Sequence, residues 1–420
     1  MGKINGATLV LWAIFVGFTA VSFAAFGFGH SPDLMATWLA GHFHAAGATD
    51  QVYAGYDGLY TMLPPSEWWP FLQEQGREKA VFPFVYPPIW AVLAGWITPF
   101  VGLDAFQAGA SFVNPLLMAG MVTLAGRATG LRDWALVRFL LLGLGVMVAT
   151  LPGSVALEQN QPQILVSFLI VAAIERDRAG AARLAGAALA LAAAIKLYPA
   201  MLALLWLASG RGRSVASFAI VGSVLGAVSI LLAGWPLHQT FLSDVSAIKN
   251  TALVTYFTFG VDPTVAQIAF ADDLQFVAGL DNAADAQALL GWSVLQKGAV
   301  WSGLSLAAML GLALGGASYA RRTSDVLFWP AFLVGLALIS PLSWGYHYLP
   351  ALAFLPAMID RFGPRRGGLI VLGIAAPLTL PALGVFSSVT ATILLPQIAG
   401  TLAMIGLGLA LFLAPSRSKD

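Results

Sequence analysis

Apolar runs of near membrane-spanning length follow one another along this chain. They lie at roughly 7–28, 105–126, 135–152, 163–175, 214–233, 296–319, 326–340, 347–360, 367–385 and 391–413. A helix of about 20 apolar residues crosses the hydrocarbon core of a bilayer, so the pattern fits a polytopic membrane protein and little else. The composition agrees. Hydrophobic residues make up 59% of the 420 and charged residues 10%, whereas soluble domains are about a quarter charged. So few charges cannot cover several water-facing cores, and disordered chains are polar and highly charged. Lipid must solvate most of this protein.

Several function classes fall away at once. A net charge of +1 offers no general basic field for nucleic acid. The absence of cysteine removes thiol catalysis, thiolate metal sites and disulfides. The five histidines (His30, His42, His44, His238 and His347) are scattered and show no metal-binding spacing, so no metal and no cofactor are expected.

Charge sets the orientation. Sixteen of the 21 Lys and Arg residues fall in the short turns and tails at Lys3, 127–138, 176–183, 211–213, 321–322, 361–366 and 417–419. The positive-inside rule then puts these turns and both termini in the cytoplasm. Arg77, Lys79, Lys196, Lys249 and Lys297 are left outside or within the membrane. The first run is too long for a signal-peptide core and reads as a retained anchor.

Two segments do not fit a simple crossing. Residues 184–208 have arginines at both ends, so the chain enters and leaves on one side. Lys196 and Pro199 near the middle break a helix, which predicts two half-helices meeting at a tip around Lys196–Tyr198. Such irregular backbone survives at membrane depth only under protein or against a watery cavity. Residues 86–102 read as a short helix that does not cross independently. The expectation is one all-α membrane domain over 1–420, with ten to twelve transmembrane helices and outer loops at about 29–85 and 234–295. In the first loop, Trp68 and Trp69 beside Arg77–Glu78–Lys79 suggest an interfacial amphipathic helix with its tryptophans at headgroup depth.

On this topology the notable polar residues gather at the outer side. Asp33 closely follows the first span, with Asp50 and Asp57 as rival carboxylates in the same loop. Gln161 and Gln163 sit between two spans, and Ser340–His347 bridges two late ones. Each has a bland reading: a helix cap for Asp33, interfacial amides for the glutamines, a packed core histidine for His347. Lys196 resists one, because a lysine within a span costs about 2.5–3.5 kcal/mol and suits an anionic headgroup or phosphate.

Asp33 with Gly41, Gly47 and Val52–Tyr53, then Phe84–Pro88, resembles the opening pattern of glycosyltransferase family 87. Gln161–Pro162–Gln163, Ile195–Pro199 and Ser340–Trp344 continue it in order. Asn160 and Gln163 replace the glycine and the asparagine of the family's Gly-Gln-x-Asn, and Tyr346–His347 stands where a His-His pair is frequent. The resemblance implies a GT-C fold and an inverting transfer of a sugar, mannose above others, from a polyprenyl-phosphate donor to a glycolipid or glycan acceptor. It also implies a bacterial plasma membrane with the site facing outward. Asp33 takes the role of catalytic base, with Asp50 as its lesser rival. Lys196, His347, Gln161, Gln163, Tyr86, Tyr198 and Trp344 are the candidate substrate-binding residues. The alternative is a lipid-linked-glycan transporter or flippase, whose polar groups would collect at the bilayer midplane.

Overall fold

The computed structural model describes residues 5–77, 81–278, 292–389 and 393–415. The expectations placed on Lys3, Glu78, Lys79, Arg417 and Lys419 lie outside the described residues.

The first apolar run forms α1 (Gly6–Phe26), opened by Asn5, whose side-chain oxygen accepts from Ala7 N at 3.0 Å. The first outer loop holds α2 (Pro32–Ala45) and α3 (Trp68–Glu74), and α4 (Ile89–Ile97) follows it. With 9 residues, α4 is too short to cross a bilayer alone. The bundle continues with α5 (Leu103–Ala128), α6 (Asp133–Ala149), α7 (Leu151–Glu158), α8 (Gln163–Arg178), α9 (Ala182–Ile195), α10 (Ala200–Ala208) and α11 (Gly212–Ala233). The second outer loop contains α12 (Trp235–Lys249), β1 (Thr251–Val254), α13 (Val261–Ala269), β2 (Gln275–Val277) and β3 (Trp292–Gln296). The bundle closes with α14 (Ala299–Ala320), α15 (Phe328–Ile339), α16 (Leu349–Leu352), α17 (Ala357–Ala375), α18 (Leu380–Ser388) and α19 (Leu395–Phe412). Among the described residues five helices, α1, α5, α11, α14 and α19, are long and apolar enough to cross a membrane. The chain is an all-α polytopic membrane protein in architecture, and its remaining helices are shorter or broken.

A continuous chain of contacts joins the basic turns. Asn5 Nδ2 donates to Asp133 Oδ1 at 2.6 Å, and Arg127 pairs with Glu175 at 3.3 Å. Arg211 pairs with Asp177 and lies 4.8 Å from the Trp329 ring centroid. Arg361 grips Asp325 through two bonds of 2.9 Å and donates to Pro415 O at 2.6 Å. These turns therefore occupy one end of the bundle. The chain folds back between the runs 347–360 and 367–385 at Gly363, whose φ of 78° favours glycine.

The broken pair has the expected form. α9 ends at Lys196, whose backbone is extended, and α10 starts after Pro199. Pro199 thus opens a helix rather than interrupting one. Both ends of the pair return to the basic end: Ser214 Oγ, just beyond Arg211, donates to Asp177 Oδ1 at 2.8 Å. α9 and α11 consequently run in the same direction. They touch closely at Gly186, where an added Cβ would lie 2.3 Å from the Ser214 carbonyl oxygen.

The second outer loop is not purely helical, because β1, β3 and β2 pair antiparallel in that order. Their short apolar segments bury Leu253, Trp292 and Val294 against Tyr60 and Met62 of the first loop, joining the two loops in one layer. Lys297 and Asp262, both buried, pair at 2.7 Å and tie α13 to the start of α14. Trp68, on α3, packs inside the protein. It is fully buried, and its indole donates to Gln51 O at 2.8 Å.

Candidate active site

Helices that leave the basic end deliver their far ends to a common place. α1 leads to Asp33 at the start of α2, α9 to Lys196, and α15 to the Trp344–His347 turn; α8 begins beside Gln161. The structure brings Asp33, Tyr86, Gln161, Lys196 and His347 together there, at the end of the bundle opposite the basic turns.

Gln161 is the hinge of the acidic half. Its Oε1 accepts from Tyr86 OH at 3.0 Å, and its side chain hydrogen-bonds the Asp33 carboxyl. Burial pushes the Asp33 carboxyl up to about 6, against the pull of the Lys196 charge and of the Gln161 hydrogen bond. A carboxyl held there is ionised at neutral pH yet close enough to take up a proton, as a general base requires.

Lys196 supplies the basic half. Its Nζ lies 5.5 Å from the Tyr86 ring centroid and 5.3 Å from that of Tyr346, so the two rings flank the cation. It stands 3.1 Å from His347 Nε2. The other ring nitrogen, Nδ1, accepts from Trp344 N at 3.1 Å. A neutral imidazole with an accepting Nδ1 carries its proton on Nε2. Two donors then face one another, the ammonium and Nε2–H, with no acceptor between them. At 3.1 Å no atom fits between them, but an anionic oxygen lying beside the pair would accept from both.

The supporting layer holds these groups still. Gln163 Nε2 donates to Tyr198 OH at 2.7 Å and to Ser167 Oγ at 3.0 Å, fixing the tip of the broken pair from α8. The Tyr198 ring meets His347 edge-on, with centroids 5.9 Å apart. Trp344 acts through its backbone and through its ring, stacked 6.1 Å from Tyr346. Its segment is held by the second outer loop, since Phe259 N donates to Ser343 O and Gly345 N to Phe257 O. Gln397 of α19 anchors that loop by donating to Thr258 O at 2.9 Å. Asp50, by contrast, is exposed in the turn after α2 and lines a separate pocket with Tyr53, Tyr56 and Glu67.

Asn160, which stands in place of the family's glycine, has a physical explanation. Its φ of 47° is in the left-handed region, where glycine is cheapest and asparagine next. Its side chain donates to Ser31 Oγ at 3.0 Å and Ser111 Oγ at 2.8 Å, and accepts from Asn114 at 3.1 Å. Ser31 in turn donates to Glu158 O at 2.8 Å. The residue before Gln161 thereby locks the loop that carries Asp33. Asn160→Ala should strand several buried polar groups, at about 1–3 kcal/mol each, and add left-handed strain of about 1–2 kcal/mol. Asn160→Gly should lose the hydrogen bonds but not incur the strain. Thermal unfolding in nanodiscs should therefore rank wild type above Asn160→Gly and Asn160→Ala last; equal midpoints for the two variants would contradict the strain.

Three neighbours were not among the candidate site residues, and two of them, Tyr60 and Asp244, carry no local sequence signal. Tyr346 flanks Lys196 from beside His347. Tyr60 is buried, and its hydroxyl is pushed up by that burial and by the charges of Asp33 and Asp244. Asp244, on α12, is buried and accepts from Tyr56 N at 3.0 Å. Burial raises its carboxyl to about 6, against the backbone N–H groups of Tyr56 and Gly55. Only the packing of the two outer loops puts Asp244 and Tyr60 beside this site.

No curated protein matches the chain. The sequence profile described as glycosyltransferase family 87 matches residues 84–341, which include Tyr86, Gln161, Gln163, Lys196 and Tyr198. Asp33, Trp344 and His347 flank the matched stretch, and the fold returns them to it. A match over more than half of its length places the chain in its family: it belongs to glycosyltransferase family 87.

Proposed function

We propose that this glycosyltransferase moves a sugar, mannose above others, from a polyprenyl-phosphate donor to a hydroxyl of an envelope glycolipid or glycan. On this reading it works at the outer face of a bacterial plasma membrane, with both termini in the cytoplasm. The observation that carries the proposal is the clustering of an acid and a cation: Asp33 beside Gln161, which accepts from Tyr86, and under the charge of Lys196, which stands 3.1 Å from His347.

The reaction follows from that arrangement. The acceptor hydroxyl attacks the anomeric carbon as Asp33 takes its proton, since a neutral alcohol is a poor nucleophile. The bond from that carbon to the phosphate oxygen breaks on the opposite face, and the phosphate leaves with the electron pair. Lys196 and the Nε2–H of His347 meet the growing charge, and groups already oriented toward it need no reorganisation. Configuration inverts because attack and departure occur on opposite faces. Product is a glycoside and polyprenyl phosphate, with the proton on Asp33.

The test is transfer by purified protein in nanodiscs, offered radiolabelled mannose either as the polyprenyl phosphate or as a nucleotide sugar. Label passing to a glycolipid acceptor from the lipid-linked donor alone supports the reading. Transfer from the nucleotide sugar alone would contradict it. Movement of intact lipid-linked sugar across the membrane with no glycoside formed would favour the transporter.

A further inference from the structure

Gln397, in the first turn of α19, is a wholly buried polar side chain on an apolar helix long enough to span a membrane. It lies beyond the stretch that the family profile matches. Polar groups in such helices are costly unless paired, and this one is paired in a fixed sense. Leu394 N donates to Gln267 Oε1 at 2.6 Å, so Gln267 turns its Nε2 outward and donates to Gln397 Oε1 at 2.6 Å. Gln397 Nε2 is left to donate, to Thr258 O at 2.9 Å and to Thr401 Oγ1 at 3.0 Å. Thr401 Oγ1 also accepts from Gly260 N at 3.1 Å.

Thr258 and Trp344 form an antiparallel bridge. It is closed by Phe259 N donating to Ser343 O at 2.8 Å and Gly345 N to Phe257 O at 2.9 Å. In that pattern Thr258 and Trp344 do not bond each other, so their own backbone groups point outward at the two edges. At one edge Thr258 O takes Gln397. At the other, Trp344 N donates to His347 Nδ1 at 3.1 Å, and Trp344 O accepts from His347 N at 2.9 Å. Phe259 is held as well: Tyr348 OH donates to its carbonyl at 2.7 Å, and its ring packs on Gly400, where an added Cβ would lie 2.2 Å from it.

We propose that Gln397 is a positioning residue for the transfer reaction: through the Thr258–Trp344 bridge it holds Trp344 N against His347 Nδ1, and so keeps the imidazole proton on Nε2. The inference rests on the reading in which Nε2–H meets the leaving phosphate, and adds to it what fixes the tautomer. That tautomer needs support. An ammonium 3.1 Å from Nε2 favours an accepting Nε2, with the proton on Nδ1. The Trp344 N–H opposes this, because it tolerates only an accepting Nδ1. If the bridge shifts and Trp344 N withdraws, the proton moves to Nδ1, Nε2 accepts from Lys196, and the site loses one donor for an anion.

Gln397→Met keeps the bulk and removes the amide, and should lower turnover about 10- to 100-fold. Gly400→Ala moves Phe259 without removing any polar group, and should act in the same direction should the first variant fail to fold. Leu402→Ala, on the exposed face of α19, is the control and should keep full turnover. A glutamine that only braces the fold would also slow the enzyme, so the deciding measurement is a double-mutant cycle with His347→Ala. In that background neither Gln397→Met nor Gly400→Ala should lower turnover further; a full penalty there would overturn the proposal. The second measurement needs no turnover. In 15N spectra of histidine-labelled protein in nanodiscs, with the His347 signals assigned by their loss in His347→Ala, wild type should carry the proton on Nε2 and Gln397→Met should populate Nδ1–H. An unchanged tautomer in a folded variant whose turnover has fallen would equally sink the idea. A changed tautomer with normal turnover would instead uphold the positioning and refute the phosphate role of His347.

Discussion

Asp33→Asn should lower turnover about 100- to 10,000-fold while the protein still folds and binds donor. The amide keeps the shape and the contact with Gln161 but cannot take a proton from the acceptor. The pH dependence gives a second handle. With its carboxyl raised from 3.8 to about 6, Asp33 is protonated and idle below that value. Wild-type kcat/KM should therefore fall with a slope of one proton as pH drops through about 6. The sign for stability is the reverse. A folded-state value above the unfolded one means that folding favours the protonated form, so this contribution is present below about pH 4 and lost as pH rises through about 6. Asp33→Asn should abolish the acidic limb and remove this share of the stability trend, leaving the share of Asp244, whose carboxyl is raised in the same way. Asp50→Asn, altering an exposed group in a separate pocket, should keep near-normal turnover and the same acidic limb. Full turnover in Asp33→Asn would remove the base.

Lys196→Met should cost about 100- to 1,000-fold in turnover, although it removes a charge that the membrane resists. The leaving phosphate would lose its cation, and His347 alone would face it. Lys196→Arg should recover only part of the rate, because a broad planar guanidinium does not fit between Tyr86 and Tyr346 as an ammonium does. A lysine that merely snorkels would tolerate both changes. The acidic limb separates the two cases further. The Lys196 charge holds the Asp33 carboxyl down, so Lys196→Met should move the midpoint of the limb above 6. A normal rate with an unmoved limb would take Lys196 out of the site.

How much of this could be read without coordinates depended on the kind of signal. The basic turns were legible because each is a local cluster between apolar runs, and the contacts from Asn5 through Arg211 to Arg361 gather them at one end. The break at Lys196 was legible because a buried charge and a helix-breaking proline fall three residues apart in a segment with arginines at both ends, although a proline alone is tolerated, as Pro115 inside α5 shows. Asp33, Gln161, Lys196 and His347 were reached as polar residues gathered on one side of the topology, and Tyr86 through the order of weak motifs. Tyr60 and Asp244 were not, since they approach the site through long-range packing of two outer loops that share no pattern. The short strands were missed because 3 to 5 residues carry no useful periodicity. The partner of Trp68 was not legible for a different reason: a tryptophan beside charges looks the same in sequence whether its indole meets solvent or, as here, Gln51 O.

The central claim is that a donor phosphate sits between Lys196 and His347 while Asp33 faces the opposite side of the sugar carbon. The most direct test is a structure of the protein with a non-transferable polyprenyl phosphonate sugar. A phosphonate oxygen should lie within hydrogen-bond reach of both Lys196 Nζ and His347 Nε2, with the Asp33 carboxylate across the anomeric carbon from it. A phosphonate bound away from Lys196, or on the same face of the sugar as Asp33, would contradict the account.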